Sequence, residues 1–536
     1  KINVIILAAG ELGNYFWPKK FNEYPVWFAN LGNNTNLNII TNSYDLKKYK
    51  INLVVDELNQ CEKLRTYKFC SDVSKFINIK NTKNILETIF KTLTFFKDEE
   101  EIIIQTITLL PDNKNGLSCG SIDVSKTINN GSWQTIDIYN NDQICKYAIA
   151  GRIYAKVNDL NQFFTKNTFL YENKFRTLCL YLLKKKKYQL NYVNWIDSGH
   201  VETLSKSRID FCLARSFNKI KHNNLEATIV KSSNKYEKLY SEYLHYNSLS
   251  PECAKFYPNV YKFKKNNLNN SYELEMEYLA GFTLSEVFLF YDMTDYIWED
   301  IFLKIKNVYE NHLKNPITNI NKCKDSFHKI YIDKTISRIS EFEEYFDSQH
   351  NNDEFTSGIS FLLDNDFYLN GTKFLSFKKT IKKIINYLNS LKTINRSKQL
   401  NLIHGDLCFN NIIYDPFFGS LKIIDPRGKQ SDGSSYYPSC YDIAKLSHSI
   451  LGLYDSIISG LYSLNFSNNK YELSLYSPPN YKIVKENFYK LFNIDNDLRL
   501  KELTLFASML PIHLDSKERC LALLLRFFQI SKNLSF

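Results

Sequence analysis

The stretch NLIHGDLCFNNIIYDPFFGSLKIIDPRG, residues 401–428, decides how the second half of this chain is read. Two apolar runs, NIIYD (411–415) and LKIID (421–425), flank the turn-like PFFGS (416–420). Short apolar runs separated by a glycine-containing turn predict a β-hairpin. Such a hairpin sets the start of one strand beside the end of the other, and so Asn411 beside Asp425. Asp406 lies in the loop five residues before Asn411. In the plainest reading His404, Asp406 and Asp425 cap turns.

The same residues also meet the needs of phosphoryl transfer from ATP. Hard oxygen ligands must hold the ions that bridge the phosphates. A carboxylate must orient the acceptor hydroxyl and take its proton. Positioning and charge neutralisation then do most of the work. Asn411 and Asp425 could share a metal, with Asp406 in reach of the same phosphate.

HGDLCFNNIIYD…KIID resembles the HGDxxxxN…D signature of the aminoglycoside phosphotransferases and choline kinases, small-molecule relatives of the protein kinases. The resemblance implies Asp406 as catalytic base, Asn411 and Asp425 as Mg²⁺ ligands, and an α+β bilobal kinase-like fold. Upstream, ATIVKSS (227–233) resembles the strand carrying the ATP-phosphate lysine. That would be Lys231, with Lys235 and Lys238 as competitors and Glu242 of the next helix as its partner. LEMEYLAG (274–281) resembles the adenine-binding hinge, around Glu277 to Leu279. Arg427 and His404 are candidates for phosphate or acceptor contact, Arg427 equally for a surface ion pair. Asp442, in CYDIAKL, reads first as a helix N-cap. No GxGxxG loop precedes Lys231; KHNN (221–224) stands there.

The first 200 or so residues alternate β-branched runs, such as NVIILA (3–8) and INLVVDE (51–57), with helical periodicity, as in NILETIFKTLTFF (84–96). This predicts an α/β domain with a parallel or mixed sheet covered by helices. Its opening, VIILAAGELGNYFWPKK, resembles the sugar-phosphate nucleotidyltransferases. That implies a Rossmann-like domain whose turn, with Ala9, Gly10 and Gly13, holds nucleotide phosphates, and Lys19 meets one. NWIDSGH (194–200) resembles the family segment that binds catalytic Mg²⁺, here through Asp197; His200 reads as a packed loop residue. Two departures stand out. The turn lacks the usual arginine, and IIIQTITLLP (102–111) offers Thr106, Ile107 and Thr108 where a second carboxylate belongs. A site short of one carboxylate grips a triphosphate poorly. The domain is therefore expected to be degenerate, binding or scaffolding, with an active enzyme using other ligands as the alternative.

Composition fits such a chain. Its 536 residues exceed one ordinary hydrophobic core, and 44% hydrophobic against 23% charged residues indicates a globular protein. The net charge of +11 is spread along the length, unlike a nucleic-acid footprint. KKKK at 184–187 reads as a solvated helix C-terminus. Eleven cysteines without CxxC spacing argue for reduced thiols in a cytosol and against a zinc site. No apolar run reaches the roughly 18 residues of a membrane span. A soluble, cytoplasmic protein is expected.

The expected domains are 1–207 and 208–536, the second with a small lobe at about 208–283 and a large lobe at about 284–536. From about residue 284 the pattern reads as mostly helical, interrupted by the 411–425 hairpin, and the tail at roughly 440–536 reads as helical again with one loop in SLYSPPNYK. The fusion resembles proteins of bacterial capsule and surface-polysaccharide biosynthesis. It implies an ATP-dependent kinase acting on a small alcohol or sugar that supplies a glycan building block. Three alternatives remain: a CTP- or UTP-dependent nucleotidyltransferase supported by the second domain, a bifunctional enzyme, and a non-catalytic nucleotide-binding assembly protein.

Overall fold

The computed structural model describes residues 1–9, 30–56, 62–80, 82–112, 117–126, 134–140, 143–166, 174–198, 219–223, 227–267, 270–314, 316, 325–348, 353–390, 400–416, 418–428 and 435–536. They fall into two compact units, Lys1–Cys212 and Leu213–Phe536.

In the first unit the β-branched runs become strands and the periodic runs between them become helices. The elements are β1 (Ile2–Leu7), α1 (Asn36–Asn42), β2 (Tyr49–Asp56), β3 (Val73–Ile79), α2 (Ile85–Leu93), β4 (Glu101–Thr106) and β5 (Leu109–Pro111). There follow β6 (Ser121–Lys126), β7 (Thr135–Asn140), β8 (Gln143–Lys156), α3 (Val157–Lys166), α4 (Phe175–Leu183), β9 (Gln189–Tyr192) and β10 (Trp195–Asp197). The main sheet runs β9-β6-β8-β4-β1-β2-β3, with β7 paired to β8. β1 is parallel to both β2 and β4, and the long β8 runs antiparallel to β4 and β6. This is an α/β fold with a mixed sheet.

Side chains alternate across β4. Ile102 and Ile104 join the core formed with Leu86 and Ile89 of α2, Leu160 of α3 and Leu178 of α4. Gln105 points the other way and accepts a 2.6 Å hydrogen bond from Tyr44. α4 ends at Leu183 with Lys184 as its C-cap. The lysines beyond it are not merely solvated: Lys185 and Lys187 hold the Asp159 carboxylate at 2.7 and 2.6 Å. Burial would raise the Asp159 pKa, but these lysines and the Tyr188 hydroxyl pull it down to about 2.

The second unit begins with β11 (Lys219–Asn223), β12 (Thr228–Ser233), α5 (Tyr236–Asn247), β13 (Val260–Asn266) and β14 (Ser271–Glu277). These strands form an antiparallel sheet in the order β11-β12-β14-β13. The helical lobe follows with α6 (Leu284–Phe290), α7 (Asp295–His312), α8 (Lys334–Asp347), α9 (Glu354–Asp364), β15 (Phe367–Leu369), β16 (Thr372–Phe374) and α10 (Phe377–Ser390). It continues through β17 (Ile412–Asp415), β18 (Ser420–Ile423), α11 (Tyr441–Ile450), β19 (Tyr462–Ser467), β20 (Lys470–Leu475), α12 (Tyr481–Leu491), α13 (Asn496–Met509) and α14 (Lys517–Ser531). The class is α+β with two lobes.

One expectation is corrected. The tail is not helical apart from one loop, because β19 and β20 form a hairpin that joins β15 and β16 in a four-stranded sheet. Its turn is made by Asn468 in the left-handed region at φ +53°, and Tyr471 and Leu473 fill its inner face. Among the described residues no helix is long and apolar enough to cross a membrane.

Candidate active site

The 401–428 stretch folds as the β17–β18 hairpin, with Ile412 opposite Ile423 and Asp415 opposite Ser420. One residue outside the ladder, the Ile424 N–H donates to the Asn411 carbonyl at 2.9 Å. Asn411 and the Ile424–Asp425 pair thus meet at the open end of the hairpin. Asn411 ends a short 3₁₀ turn, Phe409–Asn411. Phe409 is buried against Phe288 and Trp298, at ring-centroid distances of 5.4 and 6.3 Å. The Phe409 N–H donates to the Ser449 hydroxyl at 3.1 Å. This aromatic packing fixes the turn, and with it Asn411, whose amide nitrogen donates to the Asp406 carbonyl at 2.8 Å.

Asp425 has φ +58°, a left-handed conformation that few non-glycine residues adopt. Such backbone is retained where its surroundings over-determine it, often at functional sites. Its carboxylate accepts from Lys231 of β12 at 3.0 Å. Lys231 donates also to Glu242 of α5 at 2.6 Å. Sequence positions 231, 242 and 425 therefore meet through one ammonium group. Burial would lower the Lys231 pKa, but Glu242 and Asp425 together hold it above its usual range. Burial pushes Glu242 up to about 7 against the pull of Lys231. Of the competing lysines, Lys235 precedes α5 and Lys238 lies on it, and both are exposed.

Asp406 has 35% of its side chain open, and Lys445 of α11 holds it at 2.9 Å. Burial would raise the Asp406 pKa, yet Lys445 and Arg427 keep it well below the carboxylate range. The acid is ionised at any physiological pH.

Two expectations for this loop are corrected. His404 does not face an acceptor: it is fully buried. Its Nε2 bonds the Ile424 carbonyl at 2.7 Å, its Nδ1 accepts from the Asp406 N–H at 3.2 Å, and its ring stacks on Tyr257. Those partners fix the tautomer with the proton on Nε2. Asp442 is not the N-cap of α11 either, since that place belongs to Cys440. Its oxygens accept the N–H groups of His404 at 3.0 Å and Gly405 at 2.9 Å, so it anchors the loop from below. Burial raises the Asp442 pKa to about 7, even against those hydrogen bonds. Gly405 sits at φ +77°, and a Cβ there would meet the Arg427 Cβ at 3.0 Å.

Among the described residues Arg427 forms no ion pair; its Nη1 donates to the Tyr441 hydroxyl at 2.7 Å. At the expected hinge, Glu277 ends β14 with its N–H on the Asn259 carbonyl and its carboxylate on Asn259. The Tyr278 N–H goes to the Ala227 carbonyl at 2.9 Å. Leu279 follows, half-buried. Lys445, Tyr441 and Lys334 were not foreseen. A lysine within the apolar YDIAKLSHSIL, one turn from Tyr441, was the signal available for the first two. Lys334 gave none.

In the first unit, Asp197 is buried on β10 opposite Leu109 of β5. The segment that lacks a carboxylate therefore lies alongside it. Ser198 bonds the Thr108 carbonyl through its N–H at 3.0 Å and its hydroxyl at 2.9 Å. Asn36 reaches Ser198 at 2.8 Å and the Ile107 carbonyl at 3.2 Å. The described residues hold no group of three or more His, Cys, Asp or Glu fit for a metal. Ala9 follows β1 and is half-buried. Gly10, Gly13, Lys19 and His200 lie outside the described residues.

No family model matches the sequence, and no curated protein matches it. Solved structures of both expected kinds are similar. A UTP-bound UGPase from Acinetobacter baumannii shares 11% identity over 40% of this chain and 94% of its own, with a TM-score of 0.32. The inositol-1-phosphate CTP transferase of T. maritima shares 16% identity over 38% and 96%, with a TM-score of 0.27. An aminoglycoside-3'-phosphotransferase of type VIII shares 11% identity over 59% of this chain and 94% of its own, with a TM-score of 0.29.

Proposed function

We propose that the second unit transfers the γ-phosphoryl group of ATP to a hydroxyl of a small molecule. The observation that carries this reading is that the open end of the hairpin sets Asn411, bonded to Asp406, beside Asp425, which shares Lys231 with Glu242. The Ile424 backbone ties them together, its N–H on Asn411 and its carbonyl on His404.

Lys231 steadies the non-transferred phosphates, oriented by Glu242. Adenine meets the backbone around Glu277 and Leu279. Asp425 and the Asn411 amide oxygen would hold Mg²⁺. One carboxylate with one amide suits an ion that completes its shell with water and phosphate oxygens. When bound, the ion neutralises charge across the phosphates. Asp406 accepts the hydrogen bond of the incoming hydroxyl and aims its oxygen at phosphorus. A carboxylate held so acidic is a weak base, so orientation is its larger contribution. The proton crosses to it as the new P–O bond forms and the bond from the γ-phosphorus to the β-phosphate oxygen breaks, releasing ADP.

Asp406→Asn keeps the shape but cannot take the proton. ADP release from Mg·ATP, in a mixture of sugars, polyols and amino alcohols, should fall roughly 10²- to 10⁴-fold, with Mg·ATP affinity nearly unchanged. Unchanged turnover would remove Asp406 from this role.

For the first unit we propose nucleotide binding without full catalytic power, because the segment alongside Asp197 offers Thr106, Ile107 and Thr108 where a second carboxylate belongs. The fusion fits a cytoplasmic enzyme that prepares a building block for a surface glycan.

A further inference from the structure

Beside Asp406 the second unit collects positive charge that the transfer reaction does not absorb. Arg427 and Lys334 both donate to the Tyr441 hydroxyl oxygen, at 2.7 and 3.4 Å. Tyr441 and Lys445 lie one turn apart on α11, so they share a helix face. Lys445 reaches Asp406 from that face. Tyr441 and Lys445 are buried and form a floor, while Arg427 is exposed, Lys334 partly so, and Asp406 open at its side chain.

Among the described residues three cations thus gather on the Tyr441–Lys445 face, and one of them, Lys445, pairs with the open Asp406 carboxylate. Among the described residues the other acids nearby are engaged elsewhere. Asp442 holds the loop N–H groups, Asp333 pairs with His328 at 3.0 Å, and Asp497 pairs with Lys501 at 2.6 Å. The imbalance leaves its mark on neighbouring groups. Burial lowers the Lys334 pKa; Tyr441 offsets part of this, while Arg427 and Lys445 repel the charge. Burial alone would raise Tyr441, yet Arg427, Lys334 and Lys445 bring it down to about 8. A positively charged acceptor would meet like charge here, and a neutral one would leave the cations unmatched.

We propose that the hydroxyl acceptor carries an anionic group, a phosphate or a carboxylate, seated against Arg427 and Lys334 with its hydroxyl at Asp406. This rests on the phosphotransferase reading for the role of the hydroxyl. The anion site stands on the cation cluster.

The test is calorimetric titration of the full chain, loaded with Mg·adenylyl imidodiphosphate, with glycerol, glycerol 3-phosphate, glycerate, choline and inorganic phosphate. Inorganic phosphate and at least one of the two anionic alcohols should bind, the alcohol at least tenfold more tightly than glycerol or choline. Which alcohol leads separates a phosphate-bearing from a carboxylate-bearing acceptor. Lys334→Gln should weaken the anions roughly ten- to a hundredfold, the range for a charge-assisted hydrogen bond. Lys334→Arg, which keeps the charge, should retain them. Any other ranking, including no measurable anion binding, or anion affinity untouched in Lys334→Gln, overturns the proposal. The Mg·nucleotide titration, compared in wild type and Asp425→Ala, reports on the phosphotransferase reading separately. Anion binding without nucleotide binding would sink that reading and leave the anion site standing.

Discussion

Asp442→Asn probes what holds the loop that carries Asp406. The carboxylate accepts N–H groups from His404 and Gly405 on separate oxygens, at 3.0 and 2.9 Å. An asparagine keeps one acceptor and turns an NH₂ group toward the other donor. One charge-assisted hydrogen bond is lost, worth about 1.5–3 kcal/mol, and a buried N–H is left opposed by another donor. If that energy restrains local opening of the loop, the amides of His404 and Gly405 should exchange about 10- to 100-fold faster. The comparison belongs at pH 8, because the Asp442 pKa is raised to about 7 and the carboxylate is ionised above that value. Below it wild type also loses the charge, and the two proteins should converge. Hydrogen exchange followed by mass spectrometry on peptides spanning 400–411 reads this directly, with first-unit peptides as the control. Equal protection in both proteins at pH 8 would refute the anchoring role.

Lys231→Met leaves Glu242 buried and facing Asp425 without its cation. Breaking such a pair should cost about 3–5 kcal/mol, visible as a lowered thermal midpoint, with the loss smaller at pH 6, where Glu242 can take a proton. Trp298 is fully buried between Phe288 and Phe409. Trp298→Ala should cost about 3–5 kcal/mol in urea unfolding and loosen the turn that carries Asn411. Asp159 has its pKa lowered to about 2 in the folded chain. Its stabilisation is therefore complete above the ordinary carboxylate range and lost as pH falls from about 4 toward 2. In thermal scans over that window wild type should lose more than Asp159→Asn.

Much of the candidate site was legible because its chemistry is local. Asp406, Asn411 and Asp425 fall within twenty residues, and a short hairpin is specified by its own turn. Lys231 and Glu242 were also readable as a pair, being separated by one strand-to-helix step. What was missed depends on distant partners. Asp442 looked like a cap because acidic residues often begin helices, and only the fold brings residues 404 and 405 over its carboxylate. His404 looked available because the sequence does not show that Tyr257 and the Ile424 carbonyl enclose it. The β19–β20 hairpin carried its own signs, an Asn-Asn turn with buried Tyr471 and Leu473 two residues apart. Its strand partner, Phe367–Leu369, lies about a hundred residues upstream, beyond what periodicity can register. Lys334 joins the site from a helix with no motif at all.

The measurement that tests the central claim most directly is thermal stabilisation by Mg·ATP in wild type, Asp425→Ala and Asp197→Ala. A nucleotide that binds only the folded chain adds about 2.7 kcal/mol at a hundred times its Kd. The account predicts a rise in the midpoint for wild type and Asp197→Ala and none for Asp425→Ala. Stabilisation that survives in Asp425→Ala and disappears in Asp197→Ala would place the nucleotide in the first unit and contradict the account.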